Sequence, residues 1–217
     1  MWGSLAPDEL RFSLADIRSV FSAPTELAVP PSHPEARPAA VLVALFEEDG
    51  EARVVLTKRP ETMPSHQGEI AFPGGKHDPL LDASLAATAL REAHEEVELD
   101  PNTVDVIAEL DGIGTVASKF LITPFLGLLD ARPALVPHPR EVVAVFDVAL
   151  SELLATETHR SEIWSLAATE LNIHFYELVG ETVWGATARI LTNLFGRLTE
   201  ARVATVSQRG NEPHQLR

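Results

Sequence analysis

The sequence predicts a single domain of the α/β (α+β) class, with a mixed β-sheet and helices on its faces. Strand-like and helix-like segments follow one another without strict alternation, which favours a mixed sheet over a purely parallel one. The chain has 217 residues, the usual size of one domain. Apolar residues make up 45% of the chain, which is enough to bury a core.

The first part of the chain is expected to hold a helix, an extended connector and a β-hairpin. Apolar residues at helical spacing predict a short amphipathic helix over residues 8–22. Five prolines between positions 24 and 38 forbid a helix and indicate an extended connector. Apolar runs at 39–46 and 52–57 flank a Glu-Glu-Asp-Gly turn, so we expect them to pair as two strands.

The next segment is expected to be a long loop followed by a helix. The loop runs from about residue 58 to 82 and contains a short apolar piece at 70–72. The helix ends near Val97, and either Asp82 or Ser84 caps its start. Beyond it the pattern predicts strands at 104–110, 120–129, 142–147 and near 173–178. One short helix is predicted at 151–155.

The end of the chain is expected to be a helix with a polar tail. The helix begins near Trp184 and carries one apolar stripe, and the chain turns polar and frays from Glu200 onward. We therefore divide the chain into an N-terminal helix with a proline-rich connector, a main domain and a polar C-terminal tail, at 1–38, 39–199 and 200–217.

Charge and composition exclude several classes of function. Lys and Arg number 17 against 32 Asp and Glu, a net charge of -15, so we expect no nucleic-acid partner. An acidic protein that handles phosphates needs a metal cation between itself and its substrate. The absence of cysteine excludes disulfides, thiolate metal sites and cysteine nucleophiles. No signal-peptide pattern or membrane-length apolar run is visible, so a cytoplasmic protein with no membrane partner is expected.

Three carboxylates on the predicted helix are the strongest chemical signal. Glu92, Glu95 and Glu96 fall within an arc of roughly 100° on a helix, beside its apolar stripe. Like charges at this spacing repel by about 0.2–0.5 kcal/mol per pair, and a divalent cation such as Mg²⁺ or Mn²⁺ would reverse the sign. Arg91 is placed to pair with Glu95 one turn later. Alternatively, these residues form the solvated face of an acidic helix.

This segment resembles the Nudix box, Gly-x5-Glu-x7-Arg-Glu-U-x-Glu-Glu-x-Gly-U, in which U is apolar. The residues that match in type are Gly75, Arg91, Glu92, Ala93, Glu95, Glu96 and Leu99. Asp82 stands for the first Glu in a loop about two residues longer, and it is either a ligand or only a helix cap. Glu98 takes the place of the closing Gly, so the usual helix stop is missing.

A second resemblance, to the coenzyme A pyrophosphatase branch of the Nudix enzymes, lies upstream. That branch has the pattern Leu-Leu-Thr-x-Arg-(Ser or Ala)-x3-Arg-x3-Gly-x3-Phe-Pro-Gly-Gly. The chain follows it at 55–59, at Gly68 and at 72–75, but Val55 replaces the first Leu, Pro60 the small residue and Pro64 the second Arg. Similar segments are His66-Gln67-Gly68-Glu69, Glu141-Val142 and Val183-Trp184-Gly185-Ala186-Thr187-Ala188.

The resemblance implies an α/β/α sandwich with a catalytic loop-helix-loop, a small-molecule nucleotide substrate and Mg²⁺ or Mn²⁺ as cofactor. The implied metal ligands are Glu92, Glu95, Glu96, Gly75 (through its carbonyl) and Glu69. The implied catalytic residues are Glu95, Glu96, Arg91 and Glu141, with Glu95 and Glu141 both open as the general base. The implied substrate contacts are Arg59, Lys58, His66, Gly74 and Gly75. Glu69, Glu141 and His66 remain open as ordinary surface residues.

The implied reaction is hydrolysis of coenzyme A or its thioesters to 3′,5′-ADP and (acyl-)4′-phosphopantetheine. One alternative is a Nudix hydrolase of ADP-ribose, NADH or a nucleoside triphosphate, and another is a Nudix-fold binding module without catalysis. Trp184 either stacks on adenine or anchors the last helix in the core, and the core is the more usual place for tryptophan. The N-terminal helix either covers the site or mediates contacts in a homodimer.

Overall fold

The predicted mixed sheet with helices on its faces is confirmed by a computed structural model, which describes residues 5–23, 26–28, 35–62, 67–115, 118–166 and 169–210. In chain order the strands are β1 (Arg37–Glu48), β2 (Glu51–Lys58), β3 (Ile70–Ala71), β4 (Gly74–Lys76), β5 (Val104–Glu109), β6 (Ile113–Gly114), β7 (Phe120–Leu129), β8 (Ala144–Ala149), β9 (His159–Leu166), β10 (Thr169–Leu178) and β11 (Glu181–Val183). The α-helices are α1 (Leu14–Val20), α2 (Leu85–Val97), α3 (Leu150–Leu154) and α4 (Gly185–Gly210), and 3₁₀ helices span Pro7–Leu10 and Pro101–Thr103.

The main sheet is mixed because one central pair of strands is parallel. Its order is β3-β2-β1-β7-β5, with β4 also paired to β1, β6 to β7 and β8 to β2. Strands β1 and β7 run parallel over ten residue pairs, and the other pairs are antiparallel. The predicted hairpin forms between β1 and β2 through Asp49 and Gly50, both at positive φ as a two-residue turn requires.

The two faces of the sheet carry separate hydrophobic cores, since side chains alternate along a strand. From β1, Val43 and Leu45 point into a core shared with α3, α4 and the N-terminal segment. Leu42 and Ala44 point to the opposite face and pack with the apolar side of α2. The result is the expected α/β/α sandwich, with α2 alone on one face at the edge of the glycine-rich strand β4.

A second sheet, of three antiparallel strands in the order β11-β10-β9, was only partly predicted. The sequence indicates β10 from residue 173, but the strand begins at Thr169, and neither β9 nor β11 was predicted. Residues 161–165 of β9 are all exposed, so the strand carries no alternation of buried and exposed side chains. Its conformation depends on pairing with β10, which is a tertiary effect.

Both chain ends depart from the sequence-based expectation. The predicted helix over 8–22 is two pieces, because Ser13 caps α1 in a reciprocal pairing with Asp16 and breaks the run. Residues 200–210 of the predicted frayed tail are instead helical, since α4 continues to Gly210, and residues 211–217 lie outside the described residues. Arg202 holds this extension in place by donating to the carbonyl of Arg11 at 3.1 Å. Among the described helices, none has both the length and the apolar character needed to cross a bilayer.

Candidate active site

Helix α2 is placed by its apolar side, which leaves its carboxylates facing the glycine-rich strand. Ala89, Ala93 and Val97 are buried against the sheet. Ser84, not Asp82, is the N-cap, and its hydroxyl accepts from the amide of Ala87 at 3.1 Å. The helix also ends without the expected glycine, because Glu98 itself takes the left-handed conformation at φ 56°.

Strand β4 needs two glycines because two different groups approach its backbone. A Cβ on Gly74 would overlap the carbonyl oxygen of Ala40 in the neighbouring strand β1. A Cβ on Gly75 would overlap the carboxylate of Glu92. The glycine pair therefore lets β4 lie close to β1 on one side and lets a helical carboxylate rest on its backbone on the other.

Glu96 is the most buried carboxylate of the helix, with 4% of the residue exposed. Its Oε2 accepts from the amide of Gly74 at 3.2 Å, and its Oε1 lies 4.0 Å from Nη1 of Arg59. Burial raises the pKa of Glu96 to about 7, and the negative charges of Glu92 and Glu141 add to that rise. Within the described residues, the buried Nε of Arg59 has no hydrogen-bond partner. A poorly neutralised carboxylate thus lies beside a guanidinium with spare donor capacity.

The other two predicted ligands differ from Glu96. Glu92 is half-buried, burial raises its pKa, and its Oε1 accepts from Nη2 of Arg91 at 2.9 Å. Glu95 is exposed and accepts from Nη1 of Arg91 at 2.9 Å, the pairing predicted from the sequence. In the part of the chain given above, no three histidine or acidic side chains converge into a metal cluster. The structure therefore brings two carboxylates, not three, to the glycine strand.

Asp82 does not cap the helix, and it does not lie at the surface. It is buried, and its two oxygens accept from Nε and Nη2 of Arg91 at 2.7 and 2.9 Å. The hydroxyl of Thr88 and the amide of Asp78 donate to the same carboxylate. These bonds, led by those from Arg91, hold the pKa of Asp82 well below its usual range. Asp82 therefore fixes Arg91, which in turn holds Glu92 and Glu95, a role that the spacing alone did not reveal.

The remaining predicted residues lie in different surroundings. Lys58 forms an ion pair with Glu181 of β11 at 2.5 Å, so its charge is engaged by the second sheet. The carbonyl of Glu69 accepts from the amide of Arg59 at 3.0 Å, which joins the loop to the end of β2. Glu141 is exposed in the loop before β8, and its charge reaches both Glu92 and Glu96. His66 and Pro64 lie outside the described residues.

The expectation that Trp184 anchors α4 in the core is wrong. The residue is 40% exposed at the end of β11, and the core end of α4 is formed instead by aliphatic residues and Phe195. Trp164, which the sequence did not single out, is 39% exposed and lies near it. The only sequence signal for Trp164 is that it is an apolar residue in an otherwise polar segment. The sequence does not predict the strand that carries it, β9.

Comparisons with known proteins agree with this architecture. A family model described as the NUDIX domain matches residues 36–168. An uncharacterized Nudix hydrolase NudL of Photorhabdus laumondii is 37% identical over 158 residues, covering 73% of this chain and 83% of that protein. A MutT/nudix family protein from Enterococcus faecalis shares the fold at a TM-score of 0.52 and 15% identity, covering 87% of this chain and 75% of that one.

Two plant relatives are longer than this chain. Nudix hydrolase 22, chloroplastic, of Arabidopsis thaliana is 39% identical over 181 residues, 80% of this chain and 59% of that protein. Nudix hydrolase 15, mitochondrial, of the same plant is also 39% identical, and 60% of it is covered. The chain thus spans about three fifths of these two relatives. Since the family model covers most of the chain and the NudL protein matches along most of its own length, the chain belongs to the Nudix hydrolase superfamily.

Proposed function

We propose that this protein is a divalent-metal-dependent hydrolase that splits the diphosphate bond of a nucleoside diphosphate derivative, with coenzyme A or its thioesters as substrate. The observation that carries the proposal is Glu96, a buried carboxylate beside Glu92 whose described partners are one amide and one guanidinium at 4.0 Å. A buried negative charge with so little neutralisation is costly unless a cation joins it. A phosphate-bound dication would supply that charge.

The donor set fits Mg²⁺ or Mn²⁺. Both prefer carboxylate oxygens, and Mg²⁺ in proteins is held by one or two carboxylates together with water and substrate phosphates. Glu92 and Glu96 are two such carboxylates, and the carboxylate of Glu92 occupies the space that a Cβ on Gly75 would fill. We assign the backbone carbonyl of Gly75 as a further ligand on this basis. When bound, the ion would polarise a phosphoryl oxygen and lower the pKa of water. Glu92 and Glu96 suffice for such a set, and Glu69 and Glu95 remain predicted as additional ligands.

The chain's own cations position the other groups. The Nη1 atom of Arg59 lies 4.0 Å from Oε1 of Glu96, and its buried Nε has no hydrogen-bond partner among the described residues, so we assign this guanidinium to a substrate phosphate oxygen. Arg91 is held by Asp82 and keeps Glu92 and Glu95 in fixed orientations, so it is a positioning residue. Because Arg91 already engages Glu95, we assign the general base to Glu141, the carboxylate whose charge reaches both buried glutamates.

The choice of coenzyme A is supported by the second sequence resemblance, at 55–59, Gly68 and 72–75. Arg59, the guanidinium of that pattern, is the one that faces Glu96. Pro64 stands where the pattern has its second Arg, so the contact assigned to that residue must come from elsewhere. Lys58 is engaged by Glu181, which leaves Arg59 as the cation we assign to the diphosphate.

The test is product identification from a substrate panel. Purified protein is incubated with coenzyme A, acetyl-coenzyme A, dephospho-coenzyme A, ADP-ribose, NADH and a nucleoside triphosphate in Mg²⁺ or Mn²⁺ buffer, and products are identified by mass spectrometry. We expect 3′,5′-ADP and 4′-phosphopantetheine from coenzyme A, and no product after chelation of the metal. Reaction in ¹⁸O-labelled water shows which phosphorus is attacked.

Two glutamine variants on one helix supply the control. Glu96→Gln keeps the shape of the side chain but removes its charge, so we expect turnover to be lost. Glu98→Gln, at the exposed end of the same helix, should keep the turnover of the parent protein. Unchanged metal-dependent hydrolysis by Glu96→Gln would overturn the assignment. Preferred hydrolysis of ADP-ribose, NADH or the triphosphate would transfer the proposal to that substrate, and no hydrolysis of any member would leave a binding module.

A further inference from the structure

A cleft of about 460 Å³ opens between the loop at 67–69 and the three-stranded sheet. Its volume lies in the range of small-molecule sites. Trp164 and Trp184 lie in its wall together with Phe175. Tryptophan is largely buried in most proteins, and here two indoles remain about 40% exposed in one cleft. This arrangement needs an explanation that core packing does not provide.

Polar and ring contacts hold the aromatic wall in place. The indole nitrogen of Trp164 donates to Glu162 at 2.7 Å, and its ring lies 6.1 Å from that of Phe175, tilted by 49°. The guanidinium of Arg160, which lines the same cleft, stacks over Phe175 at 3.9 Å from the ring centre and pairs with Glu177 at 2.9 Å. The wall is therefore ordered before any ligand binds, which lowers the entropic cost of binding.

The polar rim of the cleft carries two carboxylates, and the guanidinium of Arg160, which also lines the cleft, is already paired with Glu162 and Glu177. Glu69 and Glu181 line it, and the ammonium of Lys58 already pairs with Glu181. A phosphate group would meet like charge there, and an alkyl chain would remove the carboxylates from water without giving them a hydrogen bond. A flat heterocycle with an exocyclic amino group suits both the aromatic wall and the carboxylates of the rim. Its face stacks on indole, and its amino group donates to a carboxylate.

The cleft adjoins the phosphate end of the site through one residue. The backbone of Glu69 accepts from the amide of Arg59, and the guanidinium of Arg59 lies 4.0 Å from Glu96. Because Glu69 also lines the cleft, a nucleotide whose phosphates lie at Arg59 has the cleft close by. We propose that Trp184 and Trp164 form the base subsite of the enzyme and that it takes an amino-bearing purine such as adenine. This inference rests on the proposed function, because it assigns the base of the same substrate.

The experiment measures binding apart from turnover. Isothermal titration in Mg²⁺ buffer gives the Kd of adenosine 3′,5′-bisphosphate, of its inosine counterpart and of inorganic pyrophosphate. The variants are Trp184→Leu, Trp184→Phe and, as a matched control, Ile163→Ala. Ile163 is exposed on β9 next to Trp164, and because side chains alternate along a strand it points away from the cleft. Thermal melting confirms that each variant is folded.

We expect Trp184→Leu to weaken the adenosine bisphosphate by about tenfold or more, the usual worth of one base–aromatic stack. Trp184→Phe should recover part of this loss, and Ile163→Ala should match the parent protein. Pyrophosphate should bind all variants alike, and the inosine ligand, with a carbonyl in place of the amino group, should bind more weakly than the adenosine one. Unchanged adenosine bisphosphate binding by Trp184→Leu, or an equal loss for pyrophosphate, would overturn the base subsite. Equal Kd values for the adenosine and inosine bisphosphates would overturn the contact between the amino group of the base and a carboxylate.

The two proposals fail in different ways. If adenosine bisphosphate binds through Trp184 but no substrate of the panel is hydrolysed, the proposed function falls and the base subsite stands. If coenzyme A is hydrolysed and Trp184→Leu leaves its KM unchanged, the base subsite falls and the proposed function stands.

Discussion

Replacement of Asp82 by asparagine tests how the carboxylates of α2 are held. Asp82→Asn keeps the side-chain shape but removes the charge and turns one acceptor into a donor that faces donors of Arg91. Breaking a buried ion pair costs about 3–5 kcal/mol, but Arg91 is partly exposed and keeps Glu92 and Glu95 as partners. We therefore expect a loss of about 2–3 kcal/mol in the free energy of unfolding.

The assay is urea unfolding between pH 7 and pH 3. The pKa of Asp82 is lowered in the folded protein, mainly by Arg91, whereas an unfolded Asp titrates near 3.9. Its stabilisation is therefore present above about pH 4 and is lost as the pH falls toward the lower folded value. The difference between the parent protein and Asp82→Asn should be constant from about pH 7 to 5 and shrink below 4.

The matched control is Asp105→Asn. Asp105 accepts from Arg18 at 2.8 Å, but both side chains are more than half exposed, so the loss should stay below about 1 kcal/mol. A loss for Asp82→Asn no larger than that of the control would refute the buried anchor. A difference that stays constant down to pH 3 would show that the charge of Asp82 is not the source of the stabilisation.

Three further substitutions address the glycine strand, the end of α2 and the second sheet. Gly75→Ala should lower kcat by about 10²-fold with little change in Tm, because the atoms nearest to the new Cβ belong to the carboxylate of Glu92, at the end of a flexible side chain. As the control, Gly196→Ala, in open space on α4, should keep full activity and gain about 0.5–1 kcal/mol of stability. Glu98→Gly should stabilise the fold by about 1 kcal/mol in urea unfolding, since glycine takes the left-handed cap without strain, and a loss would contradict that assignment. Tyr176→Phe should lower the free energy of unfolding by about 1 kcal/mol, because it removes the buried hydrogen bond of 2.8 Å between the hydroxyls of Tyr176 and Thr192. An unchanged unfolding midpoint would show that this bond does not contribute to stability.

Elements with a strong local pattern were predicted nearly to the residue. Strand β7 spans 120–129 as predicted, because both of its ends are marked by a change from apolar to polar residues. Helix α2 ends at Val97 as predicted, since Asp100-Pro101 stops it whichever residue closes the last turn. Strand β8 begins two residues later than expected, because the buried Val142 belongs to the preceding turn and not to the ladder.

The candidate site was predictable in residue type and spacing but not in partners. The order Gly74-Gly75 and then Arg91-Glu92 placed glycines and carboxylates in one segment, and the fold does bring them together. Which carboxylate is buried depends on how α2 is rotated against the sheet, and the packing of its apolar side decides that. For this reason Glu96 turns toward β4, while Glu95, one position earlier, reaches solvent.

Local residue order was sufficient for the hairpin, the capped helix, the carboxylate series and the family, because each depends on neighbours within a few turns of chain. The packing of distant segments decided the rest. Asp82 became the anchor of Arg91 because the loop folds back on the helix, and Lys58 turned to Glu181 because β11 lies beside β3. Trp184 stayed at the surface because aliphatic side chains and Phe195 already fill the core at α4. Such long-range contacts have no fixed separation in sequence, so no periodicity could report them.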